Sequence, residues 1–362
     1  MKLSPLHSHH LDRNAKMADF GGWLMPIDYP ITGTIAEHTA VRERVGLFDV
    51  SHLGKASVRG QGALEFLNRA FTNDLNRISD GQAQYTMMCN EQGGVIDDLI
   101  VYRNSAEDFF LVPNASNTSD VVAALEQMPH EGIDIENLHE KFGVIAVQGP
   151  QSKAVLESLG VFTSLDYMSF THVIIAGASV ILCRTGYTGE AGFEILPSWS
   201  DADRVWSALV AAMAPFEGVV CGLGARDTLR TEMGYPLHGH ELNLGITPVE
   251  ANANWAVGWS KEEFTGAEVL RQQRAGSAKR KLQGIRFLGR GIPRAHMSVK
   301  NSMGEIVGEV TSGTFSPTLK IGIALALIAP EYKVGDQLTI DVRGNDSPIE
   351  IVKLPFVPSH VR

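Results

Sequence analysis

The chain has 362 residues, 44% of them hydrophobic, and a formal net charge of −10 at pH 7. This length allows a large buried core and favours two or three domains. The acidic balance argues against general nucleic-acid binding, which requires basic surfaces, but a local basic pocket could still hold a small acidic substrate. The three cysteines are widely separated and form no CxxC pair, so disulfide scaffolding and thiolate zinc sites are disfavoured.

The sequence shows neither a secretory signal nor a membrane-spanning segment. The first twenty residues have no apolar core of the kind found in secretory signals. The longest apolar run, around Ile321–Ala329, is far shorter than the roughly 17 residues that span a bilayer. We therefore expect a cytoplasmic protein with no membrane partner.

The first half of the chain shows mixed helical and strand patterns. The first fifty residues are predicted to be polar and irregular, apart from helical spacing over Thr34–Val45. The following stretch predicts two helices and three strands, with a hairpin in the middle: Ala63–Ala70 (helix), Gln84–Asn90 and Gly94–Tyr102 (hairpin), Asp108–Pro113 (strand) and Ser119–Gln127 (helix).

The second half continues without regular βαβ repetition, which favours an α+β fold over a doubly wound sheet. Phe264–Lys281 is predicted as a basic helix, and the short strands over Leu282–Arg362 predict a small β-barrel or sandwich. Between Lys141 and Gly258 the predicted elements are Val144–Gln148, His172–Ala176 and Ala178–Arg184 (strands), and Ser152–Ser158, Ser200–Ala212 and Ala225–Met233 (helices).

Common nucleotide and metal motifs are not found. Gly186, Gly189 and Gly192 are spaced GxxGxxG rather than GxGxxG, and no P-loop, HExxH or GxSxG motif occurs. The histidines near the start and at His238 and His240 are read as local hydrogen-bonding residues. The basic run Arg271–Lys281 fits a solvated helix face, or less readily a docking site for an acidic partner.

Two adjacent aspartates, Asp97 and Asp98, interrupt an apolar strand pattern. Because a strand alternates its faces, Asp97 shares one side with Leu99, and Asp98 shares the other with Ile100 and Tyr102. At least one carboxylate must enter an apolar surface, which is costly without a partner. Either one carboxylate has a chemical role, or one bonds the preceding Gly-Gly turn while the other faces water. The alternation alone does not decide which.

Two glycine-rich segments are further candidates for a site. Thr185–Ile195 combines three glycines with Tyr187 and Glu194, a composition that lets backbone and an aromatic ring approach a flat ligand. Cys221–Arg230 is a glycine-rich turn that leads into a helix and carries Arg226 near its start. A cation is disfavoured there by the helix dipole, so we expect a carboxylate partner. The candidates for this carboxylate are Asp227, one of the two strand aspartates and a carboxylate of a ligand.

Taken together, these segments resemble the aminomethyltransferase of the glycine cleavage system, the T-protein family. The resemblance covers essentially the whole chain, and it is specific because all the stretches occur in order. They are Asp19–Trp23 with Met25-Pro26, Gly46–His52, Gly93–Tyr102, Gln148–Pro150, Thr185–Glu194, Gly222–Arg230, Thr311–Leu319 and Pro355–Pro358.

The resemblance implies a fold, a reaction and a partner. The fold is an α+β cloverleaf of three domains around a central folate channel, with a C-terminal β-barrel-like domain. A lipoyl-carrying H-protein would deliver an aminomethyl group to tetrahydrofolate as co-substrate, with no metal or nucleotide cofactor. The products would be ammonia and 5,10-methylenetetrahydrofolate. The implied division is 1–51 plus 137–250 for folate binding, 52–136 for the catalytic acid, 251–281 as a helical connector and 282–362 as the barrel.

The resemblance also assigns residues. Asp98 matches the catalytic acid, and Glu194 would accept hydrogen bonds from the pterin's 2-amino edge. Arg226 would pair with Asp98 or line the channel. Aromatic rings would stack on the folate, and Asn114 is a weaker candidate; the rings are Tyr85, Tyr102 and Tyr187.

Departures from the family pattern leave alternatives open. His238 and Asn243 stand where relatives often have a tyrosine and an acid, and the aromatic ligand contacts that some relatives have at the C-terminus are not carried over. A folate-dependent demethylase of a small methylated donor, on the same scaffold, is the main alternative. An iron–sulfur assembly factor would carry a cysteine near Gly239–Glu241, which this chain lacks. A fused flavin dehydrogenase is excluded by length.

Overall fold

A computed structural model describes residues 1–342 and 344–362. Over these residues the chain forms eight α-helices and twenty strands, arranged in three open sheets and one closed barrel. The predicted α+β class and C-terminal barrel are confirmed. No helix in the described part of the chain is both long and apolar enough to pass through a lipid bilayer.

The N-terminal segment is regular, so the prediction of an irregular start is wrong. Its short elements depend on tertiary partners: Trp23 and Met25 are buried, and the buried imidazole of His10 lies 2.8 Å from the Asp49 carboxylate. A local pattern does not reveal such partners. The elements are β1 (Lys2–Leu3), α1 (His7–Asp12), β2 (Lys16–Phe20), β3 (Trp23–Asp28), α2 (Gly33–Glu43) and β4 (Gly46–Asp49).

The next segment builds a five-stranded sheet in the order β6-β7-β8-β5-β9. The predicted hairpin is confirmed, since β6 and β7 pair antiparallel with Tyr85 opposite Ile100 and Met87 opposite Asp98. The predicted helix over Ala63–Ala70 has the bounds found in the structure. The elements are β5 (Ala56–Arg59), α3 (Ala63–Ala70), β6 (Ala83–Cys89), β7 (Val95–Ser105), β8 (Asp108–Val112), α4 (Thr118–Gln127) and β9 (Asp134–Asn137).

The chain then returns to β4 and completes a six-stranded sheet in the order β11-β12-β13-β10-β4-β14. Its inner face packs on the five-stranded sheet, where Tyr102 and Phe110 share one apolar cluster with Ala146 and Leu196. The elements are β10 (Ile145–Gln148), α5 (Ser152–Ser158), β11 (Phe170–Ile175), β12 (Ala178–Cys183), β13 (Gly192–Pro197), α6 (Ala202–Met213), β14 (Val219–Cys221) and α7 (Leu223–Met233).

The last segment closes a barrel in the order β15-β18-β17-β16-β19-β20. The predicted long basic helix over Phe264–Lys281 is wrong. Helix α8 (Ala267–Gln272) gives way to a wider turn in which Gly276 has φ +120°, and Lys281 already begins β15. Glycine permits this backbone reversal. The strands are β15 (Lys281–Phe287), β16 (Ser298–Lys300), β17 (Ile306–Ser316), β18 (Ile321–Ile328), β19 (Gln337–Val342) and β20 (Asn345–Val352).

Candidate active site

A cavity of about 690 Å³ lies where the two larger sheets, helix α7 and the loop after it meet. A cavity of this size, with apolar walls and a few convergent polar groups, is typical of a small-molecule site. Six of the seven residues predicted from the sequence line it, although they come from five separate parts of the chain. They are Asp98, Glu194, Arg226, Tyr85, Tyr187 and Asn114.

The two aspartates of β7 occupy opposite faces, as the alternation predicted. Asp97 is fully buried and Asp98 faces the cavity. Asp97 does not bond the Gly-Gly turn: it accepts hydrogen bonds from the Asn114 backbone N–H at 2.9 Å and from Asn117 Nδ2 at 2.7 Å. Asp97 therefore fixes the loop between β8 and α4, a role that the sequence did not indicate.

Asp98 is held in place by two side-chain donors. Tyr85 donates from its hydroxyl to Asp98 Oδ2 at 2.9 Å, and Asn114 donates from Nδ2 to Asp98 Oδ1 at 2.9 Å. Burial raises the pKa of Asp98, while these hydrogen bonds oppose the rise. Burial and the neighbouring Asp98 charge raise the pKa of Asp97 to about 7. Both carboxyl groups therefore have a pKa above that of a free aspartate.

The exposed indole of Trp255 lies at the rim of the cavity, next to the residues that hold Asp98. The Trp255 ring stacks on Tyr85 with centroids 5.0 Å apart and an interplanar angle of 29°. The sequence analysis missed Trp255, because a single tryptophan in a turn carries no periodic signal.

Glu194 lies in the middle of the six-stranded sheet, paired with Ala146 on one side and Cys183 on the other. Its Oε2 accepts a 2.5 Å hydrogen bond from the Thr185 hydroxyl, which orients the carboxylate toward the cavity. Charge-assisted hydrogen bonds of this kind fix geometry well.

Tyr102 does not line this cavity, although the resemblance expected its ring to stack on the folate. Its ring is buried in the cluster between the two sheets, with its centroid 5.4 Å from that of Phe170. Its hydroxyl lies 3.3 Å from Thr185 Oγ1, the atom that donates to Glu194. Asp98 and Tyr102 are on the same side of β7, but at Tyr102 this side is covered by the six-stranded sheet. The covering sheet is apparent only from the tertiary packing.

Arg226 forms no salt bridge with the residues that the structure describes, although the Glu194 charge partly offsets the burial that lowers the Arg226 pKa. Asp227 instead pairs with Arg230, which also holds Glu241 at 2.9 Å. The Arg226 guanidinium lies over the Tyr187 ring at 4.7 Å, and its buried Nη1 has no hydrogen-bond partner among the described residues. An unpaired buried donor is costly. A ligand as the partner of Arg226 stays a prediction.

Other cavity residues were missed or only partly anticipated. Tyr187 donates its hydroxyl to the carbonyl of Pro236, and its ring stacks on Tyr235 at 5.7 Å. His52 is buried, and burial lowers its pKa to about 3, so it is neutral near pH 7. Its Nδ1 finds no partner in the described part of the chain. Tyr235 lies in a loop without a distinctive motif. His52 ends the stretch Gly46–His52 that carries the family resemblance, but the sequence analysis gave it no role.

The two histidines after α7 line the cavity and contact backbone carbonyls far away in the sequence, so the expected local hydrogen bonds are not what the structure has. His238 Nε2 lies 3.2 Å from the Val95 carbonyl oxygen, and His240 Nδ1 lies 3.0 Å from that of Thr311. Among the described side chains, no three His, Cys, Asp or Glu residues come together as a metal site would require. The absence of a metal cofactor stays a prediction.

Comparison with known proteins identifies the family. Residues 6–261 match the family model described as the GCVT N-terminal domain, and residues 280–358 match the glycine cleavage T-protein C-terminal barrel domain. An aminomethyltransferase from Parafrankia sp. (strain EAN1pec) is 53% identical over 362 residues, which cover 100% of this chain and 99% of that protein. One from Mycobacterium tuberculosis (strain H37Rv) is 52% identical over 360 residues, covering 99% and 97%.

A solved structure agrees with these relatives. The glycine cleavage system aminomethyltransferase T from Bartonella henselae superposes with a TM-score of 0.93 at 33% identity, and the match covers 99% of both chains. The family predicted from the sequence is thereby confirmed. This chain belongs to the glycine cleavage T-protein family of aminomethyltransferases.

Proposed function

We propose that this protein transfers the methylene of an aminomethyl group, carried on the lipoyl arm of an H-protein, to tetrahydrofolate. The carbon that joins the arm's sulfur to the amine loses both of these bonds and forms new bonds to folate N5 and N10. The protons on N5 and N10 pass to the arm's sulfur and to the departing amine. The products are ammonia, the dihydrolipoyl arm and 5,10-methylenetetrahydrofolate. One observation carries this proposal: Asp98, Glu194 and Arg226 converge on a single cavity although they are distant in the sequence.

The cavity provides complementary groups for a folate. The buried Glu194 carboxylate, oriented by Thr185, suits the adjacent N–H donors of a 2-aminopyrimidine edge. Arg226 offers an unused donor for a ligand acceptor. Tyr187 and Tyr235 supply stacked rings against which a flat heterocycle can lie.

Asp98 is the proposed catalytic residue. Its ionised carboxylate would orient the folate nitrogens and favour the cationic iminium that develops as the carbon–nitrogen or carbon–sulfur bond breaks. The donors Tyr85 and Asn114 keep that carboxylate in one orientation. Preorganisation of this kind avoids reorganising the site during the reaction.

The proposal extends to location and domain division. All three cysteines are free and buried, as is common in a reducing compartment, and we infer a cytoplasmic protein. We propose that 1–51 with 137–250 binds folate, 52–136 carries the catalytic acid, 251–281 connects and 282–362 forms the barrel domain.

One assay tests the function. The purified protein is mixed with aminomethyl-loaded H-protein and tetrahydrofolate, and ammonia and methylenetetrahydrofolate are followed together. We expect both products to form in equal amounts and only when all components are present. Ammonia release that does not depend on folate would overturn the proposal. Turnover of a small methylated donor in place of loaded H-protein would instead favour the demethylase.

A further inference from the structure

Trp255 is an exposed indole at the rim of the proposed active site. Its side chain is 64% exposed, yet it lines the cavity that contains Asp98. Single apolar residues at a surface need no explanation, but this one stacks on Tyr85, the residue that donates to Asp98. A continuous path of two aromatic rings thus leads from solvent to the carboxylate.

The turn that carries Trp255 is firmly held. Thr72 donates from its hydroxyl to the Ala256 carbonyl at 2.8 Å, and its own carbonyl accepts from the Gly258 N–H at 2.8 Å. The Trp259 indole N–H donates to the Asn254 carbonyl at 2.9 Å. The flanking residue Ala256 is fully buried. The exposed ring is therefore presented by a fixed backbone, as a binding residue requires.

Several buried polar atoms around the cavity have no partner among the described residues, including Gln84 Oε1 on its wall and Asn254 Oδ1, next to Trp255 in the chain. Arg226 Nη1 and His52 Nδ1 have no partner among the described residues, and both suit a polar heterocycle. Trp255 offers only an apolar face and one N–H, and much of that face points outward. A ligand enclosed by the cavity would leave the outward face of the Trp255 ring exposed to solvent. An apolar chain that enters from solvent would cover that face.

We propose that Trp255 is the contact for the methylene chain and dithiol of the arm that a carrier protein inserts toward Asp98. This inference rests on the proposed function and specifies where its partner's arm enters. Methylene groups gain free energy when they leave water for an apolar face. Sulfur also makes favourable contacts with aromatic rings. The rings of Trp255 and Tyr85 would provide an apolar face for the methylene groups and an aromatic contact for the sulfur, close to Asp98.

The test separates arm binding from folate binding. Trp255→Ala should raise the KM for aminomethyl-loaded H-protein about tenfold, equivalent to ~1.4 kcal/mol. The Kd for tetrahydrofolate, measured by calorimetry, should stay unchanged. Trp255→Phe keeps an aromatic face and should recover most of the loss. Phe162→Ala, at a residue 79% exposed that does not line the cavity, is the matched control and should behave like the unmodified protein.

Two results would overturn the inference. One is a weaker folate Kd in Trp255→Ala with an unchanged KM for loaded H-protein, which would assign the ring to folate. The other is no change in either quantity. Failure of the proposed function looks different, because the unmodified protein would then release no folate-dependent ammonia at all.

Discussion

The hydroxyl of Tyr85 donates a 2.9 Å hydrogen bond to Asp98 Oδ2. This bond favours the ionised carboxylate, against the burial that raises its pKa. If ionised Asp98 is required, activity falls as the pH drops through that pKa.

Tyr85→Phe should therefore shift the acidic limb of kcat/KM to higher pH by about one unit. A hydrogen bond to a charged group contributes ~1.5 kcal/mol and one pKa unit corresponds to about 1.4 kcal/mol. A pH profile of the variant checks this, since the phenyl ring keeps the Trp255 stack. An unmoved acidic limb would argue against an ionised Asp98.

Asp98→Asn and Asp97→Asn should separate chemistry from folding. Asp98→Asn should lose most of the turnover, about 100-fold or more, while folate binding by calorimetry largely survives. Asp97→Asn should mainly lower the free energy of unfolding, by ~1–3 kcal/mol, because its three hydrogen bonds tie down the Asn114 loop. If folded Asp97→Asn loses more turnover than Asp98→Asn, the assignment of the catalytic acid is wrong.

Glu194→Gln should weaken tetrahydrofolate binding by about tenfold to a hundredfold, because hydrogen bonds to a charged group contribute ~1.5–3 kcal/mol. Calorimetry measures the change in Kd. The thermal midpoint should change little, since the amide can still accept from Thr185. Exposed Glu309→Gln in the barrel serves as the control. Unchanged folate affinity in Glu194→Gln would remove this residue from the binding site.

Glu232 should stabilise the fold in a pH-dependent way. Burial disfavours its charge, but His38, Ser316 and Arg42 outweigh burial and lower its pKa to about 2. Arg42 Nη2 lies 2.9 Å from its carboxylate. Because the folded pKa lies below the unfolded value, this stabilisation is present above about pH 4.5 and is lost as the pH falls toward 2.

Glu232→Gln should accordingly cost ~3–5 kcal/mol at pH 7, as expected when one member of a buried ion pair is removed. Urea unfolding at pH 7 and pH 3 measures this, and the cost should shrink at pH 3. Arg286 with Glu350 forms a more exposed pair, so Glu350→Gln is a matched control with little effect. An equal cost for Glu232→Gln at both pH values would show that its charge is unimportant.

Local periodicity predicted many of the elements well. Ala63–Ala70 and Ser152–Ser158 have the predicted bounds, since each is a short amphipathic stretch whose apolar side meets one core. The prediction of one long helix over Phe264–Lys281 was wrong. Its basic residues have good helix propensity, but Gly276 reverses the direction of the chain. The prediction of an irregular first fifty residues was wrong because the short strands there are stabilised by pairing with distant residues. Strand β1 pairs with β3, and β4 pairs with β10 and β14 from later in the chain.

Motif order and strand alternation are properties of the chain alone, and they were enough to predict the family, the fold class and the opposite faces of Asp97 and Asp98. Three features follow from packing: Tyr102 is buried and does not line the cavity, Arg226 forms no salt bridge among the described residues, and Trp255 lies at the rim. Each of these depends on distances between segments far apart in sequence. Such distances arise from the packing of sheets and loops, which no local pattern encodes.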